Sequence, residues 1–191
     1  MLLDRILGAF EFRRGIYAQV EEDTSFTTTA WLLVIVSAFL NQLGSHASGN
    51  LVNWLISAVA GTITTVIAFA VAVYLMDRIG RTLFGAEVSF DELVRTLGLA
   101  FIWSAVGVLG IVARLFAPLN CLVAPIMLAA AILLVIAWFV AAREALDMEW
   151  GRTLFTVGLG WVVLVAIMIA TNVVLNLLGI GAGALGGIVG F

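Results

Sequence analysis

Long apolar runs separated by charged islands set the organisation of this chain. From Thr24 to Met76 there is no Asp, Glu, Lys or Arg, and from Thr96 to Ala142 the sole charged residue is Arg114. Between them lies Asp77 to Arg95, DRIGRTLFGAEVSFDELVR, with Asp77, Arg78, Arg81, Glu87, Asp91, Glu92 and Arg95. A helix crosses about 30 Å of hydrocarbon with roughly 20 apolar residues. Runs of this length therefore predict membrane spans, and the charged islands predict loops at one bilayer surface. The spans fall at about residues 26–44, 51–76, 93–113, 121–142 and 153–178.

Local signals place the ends. Glu21-Glu22-Asp23 followed by Thr24-Ser25 suits a helix N-terminus, where amides lack partners and the dipole is positive. Ser89-Phe90-Asp91-Glu92 reads as a capping box with Val88 and Leu93 as its hydrophobic staple, so a helix is predicted to begin at Phe90. Gly80 and Gly85 punctuate the loop upstream. Pro125 falls near the start of the fourth span, where a missing amide costs little. Residues 1–24 form an amphipathic segment: Leu2, Leu3, Ile6, Leu7 and Phe10 share a helical face, and Phe12, Ile16, Tyr17 and Val20 continue the stripe slightly rotated. Such a helix lies in the headgroup region or docks under the bundle. Residues 179–191, rich in Gly, form an apolar tail too short to cross again.

Composition agrees. Hydrophobic residues make up 63% and charged residues 11% of the 191, against about 45–50% and 25% in soluble domains. The expected fold is an all-α integral membrane protein of five transmembrane helices with an N-terminal amphipathic helix. Eight of the nine Arg, and all twelve acids, fall in the N-terminal segment and the 77–95 and 143–152 loops. The positive-inside bias makes that side cytoplasmic, giving an N-in/C-out topology. The first segment is too long and acidic for the n-region of a signal peptide.

Little in the spans carries chemistry. Transporters and intramembrane enzymes keep ionisable groups at mid-depth, and the nearest candidate, Arg114, sits at a span end where it snorkels. His46, the sole histidine, is a candidate ligand for a metal or a chlorin magnesium, set against the plainer reading of a solvated loop residue. Thr62, Thr64, Thr65, Asn172 and Asn176 suit hydrogen bonding between or within helices, and Gly179, Gly183 and Gly187 suit close contact. Trp31, Trp54, Trp138 and Trp150 fall near span ends, as an aromatic belt would, with Trp103 and Trp161 deeper. Neither a cofactor nor a nucleic-acid partner is expected. Partner specificity is expected in the charged cap: Asp77, Arg78, Arg81, Asp91, Glu92, Arg95, Arg143, Glu144 and Arg152.

Three stretches carry a resemblance. Arg13 to Asp23, RRGIYAQVEED; Arg81 to Ala100, RTLFGAEVSFDELVRTLGLA; and Trp138 to Leu154, WFVAAREALDMEWGRTL, stand in the order and spacing of the YIP family (Ypt-interacting membrane proteins), whose bacterial branch the chain resembles. The resemblance implies a five-span fold in a bacterial cytoplasmic (inner) membrane. The Asp-Leu-Tyr-Gly-like stretch of eukaryotic members is not visible, so Rab-type GTPase binding is not carried over. The expected role is a non-enzymatic scaffold or adaptor that binds other membrane proteins or organises the lipid bilayer. The alternatives are an accessory subunit of a larger respiratory or photosynthetic complex and a small transporter or channel.

Overall fold

The computed structural model describes residues 2–13, 15–45 and 51–177. His46, the side chains of Asn172 and Asn176, and the tail with Gly179, Gly183 and Gly187 lie outside the described residues. The described chain is helical: α1 (Leu2–Phe10), α2 (Ile16–Glu22), α3 (Thr27–Ser45), α4 (Leu51–Phe84), α5 (Phe90–Ala100), α6 (Gly110–Leu115), α7 (Asn120–Leu146) and α8 (Trp150–Leu177), with 3₁₀ turns ahead of α3 and α7. A nine-residue 3₁₀ stretch, Phe101–Leu109, joins α5 to α6, and the three together make the third span. Five helical segments are long and apolar enough to cross a membrane.

The packing is that of a membrane bundle, with small residues inside. Ala30, Ala38, Ala68, Ala72, Ala137 and Ala141 are buried, while Ile63, Ile67, Leu128, Ile132, Val162 and Ile169 face outward. In lipid the association of helices rests on close backbone approach, which small residues permit. An aromatic cluster fills the middle: Trp138 meets Phe69 at 5.7 Å and Trp161 at 5.5 Å, and Phe69 meets Phe101 at 5.5 Å. Trp138 is thus buried, not part of an interfacial belt. The reason is that α7 runs on to Leu146, which puts Trp138 two turns inside it.

The charged islands are mostly helix. At 34 residues α4 is about 51 Å long, more than the hydrocarbon thickness. Its last two turns, from Asp77 to Phe84, therefore project as helix where a loop was expected. They stop at Gly85, whose φ of 69° is open to glycine without strain. The capping box is present as read: the Ser89 amide donates to the Glu92 carboxylate at 2.7 Å, and the Glu92 amide donates to Ser89 Oγ at 3.3 Å. Val88 and Leu93 are both buried beside it.

The N-terminal segment is two helices, not one. Phe12 and Gly15 take positive φ and break it, and a Cβ on Gly8 would come within 3.1 Å of Ile16 as α2 folds back on α1. A continuous helix would point its rotated second stripe away from the bundle. The break instead lets α2 bury Ile16, Tyr17 and Val20.

The third span departs from a uniform α-helix for a reason written in its small residues. Gly98, Ser104, Gly107 and Gly110, with Phe101, recur every third position. On an α-helix each such step lags by about 60°, whereas 3₁₀ winding brings i and i+3 into line. The glycines face α3, which runs parallel: a Cβ on Gly98 would meet Ala30 at 3.1 Å, one on Gly107 would meet Asn41 at 2.9 Å, and one on Gly110 would meet the Gly44 carbonyl at 2.7 Å. Ala30 to Asn41 spans about 16.5 Å of α-helix. Gly98 to Gly107 would span about 13.5 Å as α-helix but reaches about 16.5 Å with the 3₁₀ rise from Phe101 onward. The 3₁₀ stretch keeps the two helices in register.

Candidate functional site: the charged cap

Arg95 is the structural centre of the cap. The Ser89 cap sets α5 so that Arg95 falls on its second turn, pointing at the end of α2. Its Nε donates to the Glu21 carbonyl at 2.9 Å, its Nη2 donates to the same oxygen, and its Nη1 donates to Thr27 Oγ1 at 3.2 Å. The Glu21 carbonyl sits in the last turn of α2, where carbonyls lack intrahelical partners. Arg95 thus ties α2, α3 and α5 together, with the Glu92 carboxylate 4.0 Å away as counter-charge. Asp77 is also buried. Arg81, one turn on, donates to its Oδ2 at 2.5 Å, while Oδ1 has no partner among the described residues.

The remaining cations form a rim. Arg78 donates to the Tyr74 hydroxyl at 3.0 Å and lies over its ring. Arg143 lies 4.5 Å over the Trp150 ring, and Arg152 lies 5.9 Å over that of Phe84, linking α8 to α4. Arg78, Arg143 and Arg152 are exposed and make no ion pair among the described residues. Such arginines keep their guanidinium edges available for carboxylates while the faces rest on aromatic rings. Asp91 is exposed on the first turn of α5, and Glu144 is half-buried near the end of α7.

A cleft of about 470 Å³ opens between the end of α4 and the α7–α8 turn, lined by Glu21, Glu87, Asp147, Glu149 and Arg152 with Met148. An adjoining hollow of about 550 Å³ shares Asp147, Met148 and Glu149 and adds Arg143 and Trp150. Among the described residues no three His, Cys, Asp or Glu side chains converge as a metal ion would require. Burial, then the Glu92 and Asp147 carboxylates, push the Glu21 carboxyl above its usual range against the opposing pull of Arg95. Burial also raises the Tyr17 hydroxyl well above its ordinary value, with the Glu144 carboxylate adding to it.

The nine residues read from the sequence therefore divide. Arg95 and Asp77 are internal, Glu92 is occupied in the helix cap, Arg81 is paired with Asp77, Glu144 is half-buried, and the exposed Arg78, Asp91, Arg143 and Arg152 are available at the surface. The carboxylates lining the cleft, Glu21, Glu87, Asp147 and Glu149, were not singled out from sequence. Their signal was the placement of every acid on the same side as the arginines. Gln42 was also missed: it is buried toward the far end of α3 and donates to Thr65 Oγ1 at 3.1 Å, and Gly61 leaves room for its side chain. Thr62, Thr64 and Thr65 bond back to their own helix.

No curated protein and no solved structure matched the chain. The Yip1 domain family matches residues 11–172, from the turn after α1 into the last turns of α8, and so takes in all five spans. The chain belongs to the Yip1 domain family and is a multi-pass membrane protein.

Proposed function

We propose that this protein is a non-enzymatic scaffold of the bacterial inner membrane whose charged cap, facing the cytoplasm, docks other membrane proteins. The observation that carries this reading is a division of labour among charges. Asp77 and Arg95 are buried and hold the bundle, while Arg78, Arg143 and Arg152 stand exposed without an acidic partner among the described residues. The described charged groups lie toward helix ends rather than at mid-depth, where a transport path would need them. Exposed arginines held on aromatic rings beside an acid-lined cleft suit a partner segment bearing both acidic and basic side chains. The Arg bias supports the inward orientation.

Charge reversal tests the reading. Arg143→Glu combined with Arg78→Glu is expected to remove co-purifying membrane proteins from a mild-detergent preparation at native expression, with thermal stability unchanged. Retention of the same proteins at the same stoichiometry by the variant refutes it.

A further inference from the structure

The outer face of α1 is an interaction surface that the cap does not explain. Leu2, Leu3 and Leu7 are 45%, 74% and 55% exposed, although Ile6 and Phe10 on the same stripe pack on the core and Gly8 and Ala9 are buried.

The depth of this helix is fixed by its contacts. Phe10 meets the Trp103 ring edge-on at 4.7 Å, and Phe12 stacks on the same ring at 5.9 Å. Trp103 follows Arg95 by eight residues, about 13–14 Å along the third span at the α and 3₁₀ rises. Arg95 and the end of α2 mark the polar level: the Arg5–Asp23 pair ties the start of α1 to it, and the Trp103 ring draws Phe10 and Phe12 toward the flank of the bundle. The exposed leucines add to the outward-facing apolar residues of the spans.

Among the described residues, the basic groups beside this face are matched. Arg5 pairs with Asp23 at 2.7 Å and lies 4.9 Å from the Phe26 ring centroid, and Arg13 pairs with Asp4 at 2.9 Å and Glu11 at 3.1 Å. Interfacial helices that recruit anionic lipid keep free basic side chains along the polar edge. Here Arg5 and Arg13 are occupied by acids of the segment itself.

From this arrangement we propose that the Leu2–Leu3–Leu7 face of α1 inserts among the acyl chains of the leaflet on the charged side. Its partner is the hydrocarbon of that leaflet, engaged without any need for anionic headgroups. The helix adds volume to one leaflet and none to the other, which gives the protein an asymmetric grip on the bilayer.

The test uses the full chain in a Cys121→Ser background, with Leu3→Cys or Leu7→Cys carrying an environment-sensitive fluorophore, in vesicles of phosphatidylcholine alone. Lipids brominated on their acyl chains are expected to quench either label by about half, comparably to a label at Ile132→Cys in α7, while aqueous iodide leaves both nearly unquenched. Three results overturn the proposal. One is efficient quenching by iodide with little by brominated lipid. A second is lipid quenching that requires added phosphatidylglycerol, which makes the contact electrostatic. The third is oxidative crosslinking of Leu3→Cys into dimers at high lipid-to-protein ratio, which assigns the face to a second copy of the chain. Because all three side chains are exposed, the bundle folds in every variant, and unchanged melting verifies this.

Discussion

Substitution of Gly44 by Ala probes the seam between α3 and the third span at its tightest point. An added Cβ would overlap the Gly107 carbonyl oxygen and lie 2.8 Å from its carbon and 3.1 Å from Val108 Cα. All three are backbone atoms, so no side chain can swing aside, and the helices must separate by about 1 Å there. Overpacking of this kind costs about 1–3 kcal/mol. A gap of 0.5–1 Å also forfeits a quarter to a half of each dispersion contact along the seam, which places the cost at about 3 kcal/mol. Replacing glycine in a helix returns about 1 kcal/mol, leaving a net loss of about 2 kcal/mol, or roughly 4–8 °C in melting temperature for a chain of this size. Gly158→Ala is the control: it lies within α8 and nothing comes within 4 Å of its added Cβ, so the same change should raise melting slightly. The assay is thermal unfolding in one detergent followed by circular dichroism. If Gly44→Ala melts with or above the parent while Gly158→Ala behaves as expected, the close seam, and the reason given for the 3₁₀ winding, are wrong.

Arg95→Met should cost about 2–4 kcal/mol, because the Glu21 carbonyl loses both guanidinium donors and Thr27 Oγ1 loses the bond it accepts, in a part-buried setting. Arg95→Lys should recover only part of this, since a lysine lacks the planar fork that meets both acceptors, and melting of the three proteins side by side reads the order. Glu21→Gln should show a pH signature. The folded carboxyl of Glu21 is raised, so its favourable contribution is full below the usual glutamate range and is lost as pH rises through the folded value. The variant should therefore melt higher than the parent at pH 7.5, and the difference should shrink by pH 4. Asp4 and Asp23 act in the opposite sense in both proteins, their carboxyls being lowered chiefly by hydrogen bonds from Arg13 and Ser25 respectively. Their stabilisation is lost only as pH falls below the aspartate range, so it cancels from the comparison.

Charge depletion over Thr24–Met76 and Thr96–Ala142 made the spans readable, because hydrocarbon excludes charge more strictly than any local preference operates. The start of α5 was readable for a different reason: Ser89 and Glu92 satisfy each other's amides within four residues, and no tertiary context is needed. Reading charge as loop misplaced the end of α4, since Asp77 and Arg81 pair within a helix as readily as they solvate a loop, and Gly80, read as punctuating that loop, is helical with Leu146 packed against it, so the helix stops only at Gly85. The 3₁₀ stretch was visible only as a spacing of three in Gly98, Ser104, Gly107 and Gly110, which means nothing until α3 is known to lie against it. Trp138 was misplaced because its depth depends on where α7 ends, and Gln42 was overlooked because its partner Thr65 is on another helix. Within the cap, the sequence marked the charges, but burial alone separates Arg95 and Asp77 from the exposed Arg78, Arg143 and Arg152.

Sided cysteine labelling tests most directly the proposed arrangement of five crossings with the charged ends gathered on the inner side. The native Cys121, exposed at the start of α7, should react with a membrane-impermeant maleimide added to intact cells. A Gly85→Cys protein in a Cys121→Ser background should react only after the cells are opened. Labelling of both from outside, or of Gly85→Cys alone, contradicts the arrangement.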